Sequence, residues 1–336
     1  MSSGAGLDVG TSYIVLSRNN KGRVEYKDFR DAFYIIKPTT PVATKMIEKG
    51  LAGKTFIKDS DGSFILLGKD AIEKAIERND TAKRPMYKGV VSAKEKDAKR
   101  ILSFILKEVA GQSQEKNEKI VFCVPAQPID QEDEDFDVGY HEDVIKTILS
   151  EVGYDARSIN EAEALCYAEL ENDDYTGIGI SCGAGMTNVC VMLNGEPTVL
   201  FSTTKSGDWL DRMTSVATGE TDSVVQIEKE AGGFKVGEPN ENPVLSAMAS
   251  YYERLIEYTA KQLASALSNH KSLPKFKHPI KIVVAGGTSQ ANGYIESLKN
   301  KLDMVNFPLV ISEIKHADDP LHAVAKGCLI AASILD

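Results

Sequence analysis

The chain has 336 residues, 42% of them hydrophobic and 26% charged, and carries a net charge of −10. That length holds two domains or one two-lobed unit. The acidic balance argues against a surface that coats nucleic acid or adheres to anionic lipid, but not against nucleotide binding, because backbone amides hold phosphates. No apolar run approaches the ~20 residues of a membrane span, and Met1 to Gly6 shows no signal-peptide pattern. Cys123, Cys166, Cys182, Cys190 and Cys328 read as buried, reduced thiols of a cytoplasmic protein. Neither they nor His141, His270, His278, His316 and His322 have metal-ligand spacing.

In chain order, Gly6 to Leu16 reads as strand–turn–strand, followed by a polar turn at Arg18 to Gly22. Residues 31–84 change character: Pro38, Pro41, Gly50, Gly53, Gly62 and Gly68 break short apolar runs, with one short charged helix from Ala71 to Arg78. This segment reads as a small inserted subdomain. Ser92 to Val109 repeats apolar residues at helical spacing (Ala93, Ile101, Phe104, Ile105, Val109). Ile120 to Val124 is a buried strand closed by Pro125, and the acidic run Asp130 to Asp135 is a solvated loop. Helices follow from His141 to Val152, stopped by Gly153, and from Glu161 to Leu170. A second strand–turn–strand surrounds Gly183. Thr221 to Ala231 and Pro243 to Ser268 are helical, Ile280 to Ala285 is a strand, and helices over Asn292 to Leu302 and Pro320 to Leu335 complete the chain.

Strands thus alternate with helices, and "LDVGTSYIVL" and "ISCGAGMTNVCV" look like one device used twice. The expectation is a duplicated α/β protein whose two lobes face each other across a cleft. In the first turn, Gly10 lets the backbone approach a phosphate, and the amides and hydroxyls of Thr11 and Ser12 form an anion nest. Asp8 beside them repels phosphate unless a cation intervenes, and Mg²⁺ favours one carboxylate plus waters and phosphates. Gly183-Ala-Gly185-Met-Thr187 supplies amides again, and Gly286-Gly287-Thr288-Ser289 follows a buried strand.

Three such turns in this order resemble the actin-like ATPases, the superfamily that includes heat-shock chaperone ATPases and sugar kinases. The resemblance runs over essentially the whole chain, with Asn160-Glu-Ala-Glu-Ala164 and Ala323-Val-Ala-Lys-Gly327 as connecting helices. "VPAQ", "SGDWLDR" and "IVVAGGTSQANGYIESLKNKL" are similar to the bacterial filament proteins of the MreB, MamK and ParM kind. The resemblance implies an α/β fold of duplicated, mixed-sheet, RNase H-like domains around a nucleotide cleft. Lobe I would cover residues 1–150 with 31–84 inserted, lobe II 151–317 with a subdomain at about 206–264, and 318–336 would return to lobe I. It implies ATP or ADP with Mg²⁺ as cofactors, the Mg²⁺ held by Asp8 through water. Gly10, Thr11 and Ser12 would hold the β-phosphate, and Gly183, Gly185 and Thr187 the β- and γ-phosphates. Gly207 and Asp208 would close on phosphate and ribose, Lys229 and Glu230 lie near ribose and base, and Gly286, Gly287 and Thr288 pass over the adenine. Glu142, with His141 as rival, is the candidate to orient the lytic water.

Relatives carry an Asp where this chain has Ser181, usually Thr at Met186, and an acid or His at Asn188. The amide cradle should survive and the metal shell lose a carboxylate, so ATP binds and hydrolysis is slow. The leading expectation is a polymerising cytoskeletal ATPase whose partner is itself, head to tail, with adaptor or cargo proteins beyond that, no direct nucleic-acid partner and no membrane span. The alternatives are a non-polymerising ATP-binding adaptor and a small-molecule kinase.

Overall fold

The computed structural model describes residues 4–131, 136–271 and 273–335. The chain opens with antiparallel strands β1 (Ala5–Val9), β2 (Tyr13–Asn20) and β3 (Arg23–Arg30). An excursion follows through β4 (Phe33–Ile36), α1 (Pro41–Gly50), β5 (Phe56–Lys58), β6 (Phe64–Leu67) and α2 (Lys69–Glu77). Its strands form a sheet of their own, ordered β4-β6-β5, over a separate core that includes Ile36, Phe64, Leu66 and Ile72. The hairpin β7 (Met86–Tyr87) and β8 (Val90–Val91) leads back to α3 (Ala98–Ala110), β9 (Glu118–Val124), α4 (Val138–Glu151), β10 (Tyr154–Asn160) and α5 (Glu161–Glu169). The second half runs β11 (Gly177–Cys182), β12 (Thr187–Leu193), β13 (Glu196–Thr203), α6 (Gly207–Thr218), α7 (Asp222–Ala231) and α8 (Pro243–Asn269). It ends with β14 (Ile280–Ala285), α9 (Tyr294–Asp303), β15 (Ile311–His316) and α10 (Ala323–Ile334).

The two large sheets share one plan, β10-β9-β1-β2-β3 and β15-β14-β11-β12-β13. In each, the first hairpin strand pairs antiparallel with the second and parallel with a strand far along the chain. The hairpin turns also match. Val9 faces Ile14 and Cys182 faces Thr187 across equal turns. Gly10 N donates to Tyr13 O (3.0 Å) and Gly183 N to Met186 O (2.9 Å). Asp8 opposite Val15 and Ser181 opposite Asn188 are therefore equivalent positions. Between the lobes, α5 and α10 cross so closely that a Cβ on Gly327 would lie 1.8 Å from Ala164 O. Small side chains at this crossing let two buried helices join both sheets in one apolar cluster with Val121, Leu165 and Val283.

Several boundaries differ from the sequence expectation for physical reasons. The helix expected from Ser92 starts at Ala98, since Lys94 to Asp97 offers no apolar face to bury. The helix α1 lies in a stretch where the sequence pattern, broken by prolines and glycines, predicts none. Pro41 occupies the first turn, where no N–H is needed, and Thr40 Oγ1 caps it by accepting from Ala43 N (3.1 Å). β10 pairs parallel with β9, so the sheet of lobe I continues to Asn160, beyond the expected limit at 150. The acidic run at 130–135 falls largely on residues 132–135, outside the described residues.

Candidate functional site

A cavity of about 530 Å³ opens where the duplicated hairpins face each other, within the roughly 300–1,000 Å³ usual for small-molecule sites. The first turn contributes Asp8, Gly10, Thr11 and Ser12, the second Gly183 and Gly185, and the third Gly286, Gly287 and Thr288. Lys229 and Glu230 of α7 also line it, with Phe234 and Tyr252 at its apolar side. Backbone comes close to backbone here. A Cβ on Gly185 would lie 2.5 Å from Thr11 Oγ1 and 2.7 Å from Gly89 N. Gly286, at φ +89°, would put one 2.3 Å from Cys182 O. Thr288 Oγ1 donates to Gly183 O (2.8 Å), tying the third turn to the second, and Gly89 N donates to Thr11 Oγ1 (3.1 Å).

Two half-buried carboxyls meet in the cavity. Asp8 Oδ1 accepts from Cys123 Sγ (3.1 Å), and burial raises Asp8 to about 6, against that bond and the charge of His322. The other is Glu161, the first residue of α5. Asn160 caps this helix by accepting from Ala162 N and Glu163 N, which orients the first turn toward the cleft. Ser181 Oγ donates to Glu161 Oε1 (2.6 Å) and Asn188 Nδ2 to Oε2 (2.8 Å), while Asn188 Oδ1 accepts from Ala126 N (2.8 Å). Burial first, then the charge of Asp8, raises Glu161 to about 8, against the Ser181 bond. Ser181 is thus a donor to a carboxylate that reaches the site from another element. The sequence expectation makes the stretch that contains Glu161 a connecting helix and gives Glu161 itself no role. The signal was Glu161 directly after a capping Asn, at the mouth of a helix entering the cleft.

The structure does not bring every expected residue into the cavity. Glu142 is absent from its lining and accepts from Ser158 Oγ (2.6 Å) on β10. His141 is fully buried, both ring nitrogens lack a partner among the described residues, and burial lowers it to about 4. Neither is placed to orient water in the cleft, because the turn of α4 that carries them packs on lobe I instead. Thr187, Gly207 and Asp208 also fall outside the lining. Thr187 Oγ1 donates to Ser206 Oγ (3.1 Å), and the amides of Gly207 and Asp208 brace the second turn by donating to Gly183 O (3.2 Å) and Ala184 O (2.8 Å).

The side chain of Asp208 belongs to a clasp between the lobes that sequence reasoning missed. It pairs with Arg84 (2.5 Å), Arg30 pairs with Glu230, and Ala82 N donates to Ser223 Oγ (3.0 Å). Gln226, its amide turned so that the oxygen meets donors, accepts from Arg84 Nη2 (2.9 Å), Arg30 Nη2 (3.2 Å) and Ser12 Oγ (3.3 Å). The first turn is thereby wired to α7 of the opposite lobe. Lys229 binds both oxygens of buried Asp211 (2.6 and 2.7 Å), holding α7 to α6.

A family model described as Volactin matches residues 3–332. The chain belongs to the volactin family. No curated protein matches it. Among solved structures, this volactin-family chain is similar to MamK in a double helical filament, at 19% identity and a TM-score of 0.71, covering 98% of each chain. MreB 5 of Spiroplasma citri, bound to AMPPNP, is similar at 16% identity and 0.69, over 100% of this chain and 97% of that one. The ethanolamine utilization protein EutJ from Carboxydothermus hydrogenoformans is similar at 13% and 0.53, over 98% and 90%. The chain therefore has the two-lobed actin-like ATPase fold. No helix among the described residues is long and apolar enough to cross a membrane.

Proposed function

We propose that this protein binds ATP with Mg²⁺ in the cleft, polymerises into filaments in that state, and hydrolyses ATP slowly. The observation that carries the reading is the meeting of two glycine turns and two half-buried carboxyls in one cavity. Amides from both lobes would hold phosphates, and the apolar side at Phe234 and Tyr252 would accept a base. The neighbours' AMPPNP and filament states support the nucleotide and the assembly.

The residues fit the cation. Among the described residues no cluster of three or more metal-binding side chains forms, and Asp8 and Glu161 together offer the one or two carboxylates Mg²⁺ takes when phosphates and waters complete its shell. Once bound, it would neutralise phosphate charge. Burial raises both carboxyls, and for Asp8 it outweighs the charge of His322, a condition that a cation reverses. We assign the water-positioning role to Glu161 in place of Glu142. Ser181 and Asn188 fix both its oxygens, so that once a cation ionises it Glu161 would accept a hydrogen bond from the attacking water and orient it. A lone carboxylate on this side, where Ser181 stands for an acid, keeps turnover slow.

Calorimetry with Mg-ATP, phosphate release, and pelleting with ATP against ADP test the reading. Uptake of nucleotide, slow release and ATP-dependent pelleting are expected. No uptake of either nucleotide ends it. Ser181→Asp should raise phosphate release at saturating Mg²⁺, and an unchanged rate removes the explanation for slowness.

A further inference from the structure

The turn between β15 and α10 leads out of the sheet of lobe II, and His322 stands at its end. On the lobe II side, Ala317 N donates to Val284 O (2.9 Å) and Gly286 N to Pro320 O (2.7 Å), which fastens the turn to β14 and to the third glycine turn. Pro320, Leu321 and Val324 line the cavity. Leu321 is 42% exposed, and a Cβ on Gly287 would lie 3.6 Å from its Cδ2. Leu321 therefore offers apolar surface beside the glycines over which a base would pass.

On the lobe I side the turn is held by His322. Its ring stacks on Tyr26 of β3, with centroids 4.3 Å apart and planes 9° from parallel. Nδ1 meets Asp319 Oδ2 (2.7 Å), and Nε2 meets both oxygens of Asp28 (3.2 Å each) on β3, the edge strand of the lobe I sheet. A neutral imidazole carries one N–H and donates to only one of these carboxylates, whereas the imidazolium donates to both. Burial pulls His322 down, but the bonds and charges of Asp319 and Asp28 outweigh it and hold the ring above the usual imidazole range. The cation gains nothing from α10, because the dipole at a helix N-terminus opposes positive charge. Of the other charges nearby, Lys326 faces Glu169 of α5 (3.9 Å), and Lys315 faces Glu169 (3.9 Å) and Asp318 (3.8 Å). Asp8 of β1 feels the charge of His322 from the cavity side.

We propose that charged His322 is a positioning residue for the nucleotide: bonded to Asp28 and Asp319, it pins the turn before α10 to β3 and so sets Pro320 and Leu321 in the cavity wall. This inference rests on the nucleotide reading above and gives that site a pH dependence. As pH climbs through the imidazole titration, one of the two carboxylate bonds is lost, the turn loosens from β3, and bound nucleotide leaves sooner. The side chains of Asp28 and Asp319 are 46% and 51% exposed, so solvent screens the tie and the change in release is about fivefold.

Stopped-flow displacement of a fluorescent ADP analogue in Mg²⁺ buffer, between about pH 6 and pH 9, tests it. In the Mg-bound complex Asp8 and Glu161 are already ionised, so the change in release reports His322. The unaltered protein should release about fivefold faster at the alkaline end. His322→Phe keeps a ring on Tyr26 and cannot be charged, so its release should be fast throughout and its profile flat. Asp28→Asn should move the step to lower pH. NMR titration of the His322 ring is the second measurement. In nucleotide-free protein the ring should titrate above the usual imidazole range and fall in Asp28→Asn, and Mg-ADP should raise it, since coupling between proton and nucleotide is reciprocal. A His322→Phe profile that follows the unaltered protein overturns the role and leaves the nucleotide reading standing. So does a ring that titrates alike with and without Mg-ADP. If nucleotide binds at no pH, the nucleotide reading fails and the positioning role goes with it.

Discussion

The two hairpin turns that face each other across the cleft have one backbone and two chemistries. Gly10 and Gly183 close their turns by equivalent hydrogen bonds, and Asp8 and Ser181 stand at equivalent register positions. In the first turn the strand itself delivers a carboxyl. In the second, the strand delivers a hydroxyl, and the carboxyl arrives from α5 as Glu161, held by Ser181 and by Asn188. Backbone shape is specified by glycine and can be kept while side-chain chemistry is redistributed among neighbouring elements. An acid missing from a motif is not an acid missing from the site.

The sharpest way to break this comparison is to remove the displaced acid. Glu161→Gln should lower single-turnover phosphate release by about a hundredfold, the usual scale for a lost general base. Binding of a fluorescent ATP analogue should persist, because the amide cradle is untouched. Glu142→Gln should change release less than about twofold, since that side chain serves Ser158. If the Glu142 variant is the damaged one, the acid has not moved as the geometry says.

Next in size is the shape that the two turns share. Gly185→Ala places a methyl 2.5 Å from Thr11 Oγ1 and 2.7 Å from Gly89 N, forcing the lobes apart where phosphate would sit. Nucleotide Kd should rise at least about tenfold. Gly183→Ala meets Met186 O at 3.2 Å and should be the milder change. Titration of both variants with a fluorescent analogue gives the order, and the reverse order would mean that turn closure, not lobe approach, limits binding.

Much of this was legible along the chain. Three glycine turns, each after an apolar strand, located Asp8, Gly10, Gly183, Gly185 and Gly286 in the cavity, because a turn carries its own signal within a few residues. Glu161 was written in the sequence but not its role, since the hydrogen bond to Ser181 spans 20 residues and depends on how α5 enters the cleft. Arg84 and Asp208 are 124 residues apart, and nothing local marks either as the other's partner. The helix α1 was hidden by Pro41, which reads as a breaker unless the cap at Thr40 is weighed with it.

The two carboxyls also give the comparison a pH signature. Folding raises Asp8 to about 6 and Glu161 to about 8, so the folded state holds protons that the unfolded chain has lost. Their contribution to stability is therefore greatest at low pH and declines as pH climbs from about 4 through 8. The nucleotide-free protein should melt at lower temperature at pH 8 than at pH 6.5, and Glu161→Gln should flatten that slope while Asp8 remains. Mg-ATP, by ionising Glu161, should release about one proton at pH 7, measurable by calorimetry in buffers of different ionisation enthalpy. Zero release would mean that no countercharge reaches Glu161.

The smallest effect belongs to the clasp that reads the first turn from the far side. Arg84 bonds Asp208 and Gln226, and Gln226 in turn reaches Ser12. The second turn has no equivalent tie to an arginine among the described residues; its own braces, from Gly207 and Asp208, come from within lobe II. Arg84→Ala should therefore loosen closure without touching the phosphate amides. The pair is partly exposed, at 19% and 31%, so its loss is worth about 1 kcal/mol. That corresponds to nucleotide leaving about fivefold faster, with little change in the rate of phosphate release from bound ATP. Buried Asp31, held above the usual carboxylate range by desolvation against the pull of Arg84, should rise further in the variant. Stopped-flow displacement of a fluorescent nucleotide separates the outcomes: faster exit alone places Arg84 in the clasp, while an equal loss of phosphate release would put it in the chemistry of the cleft.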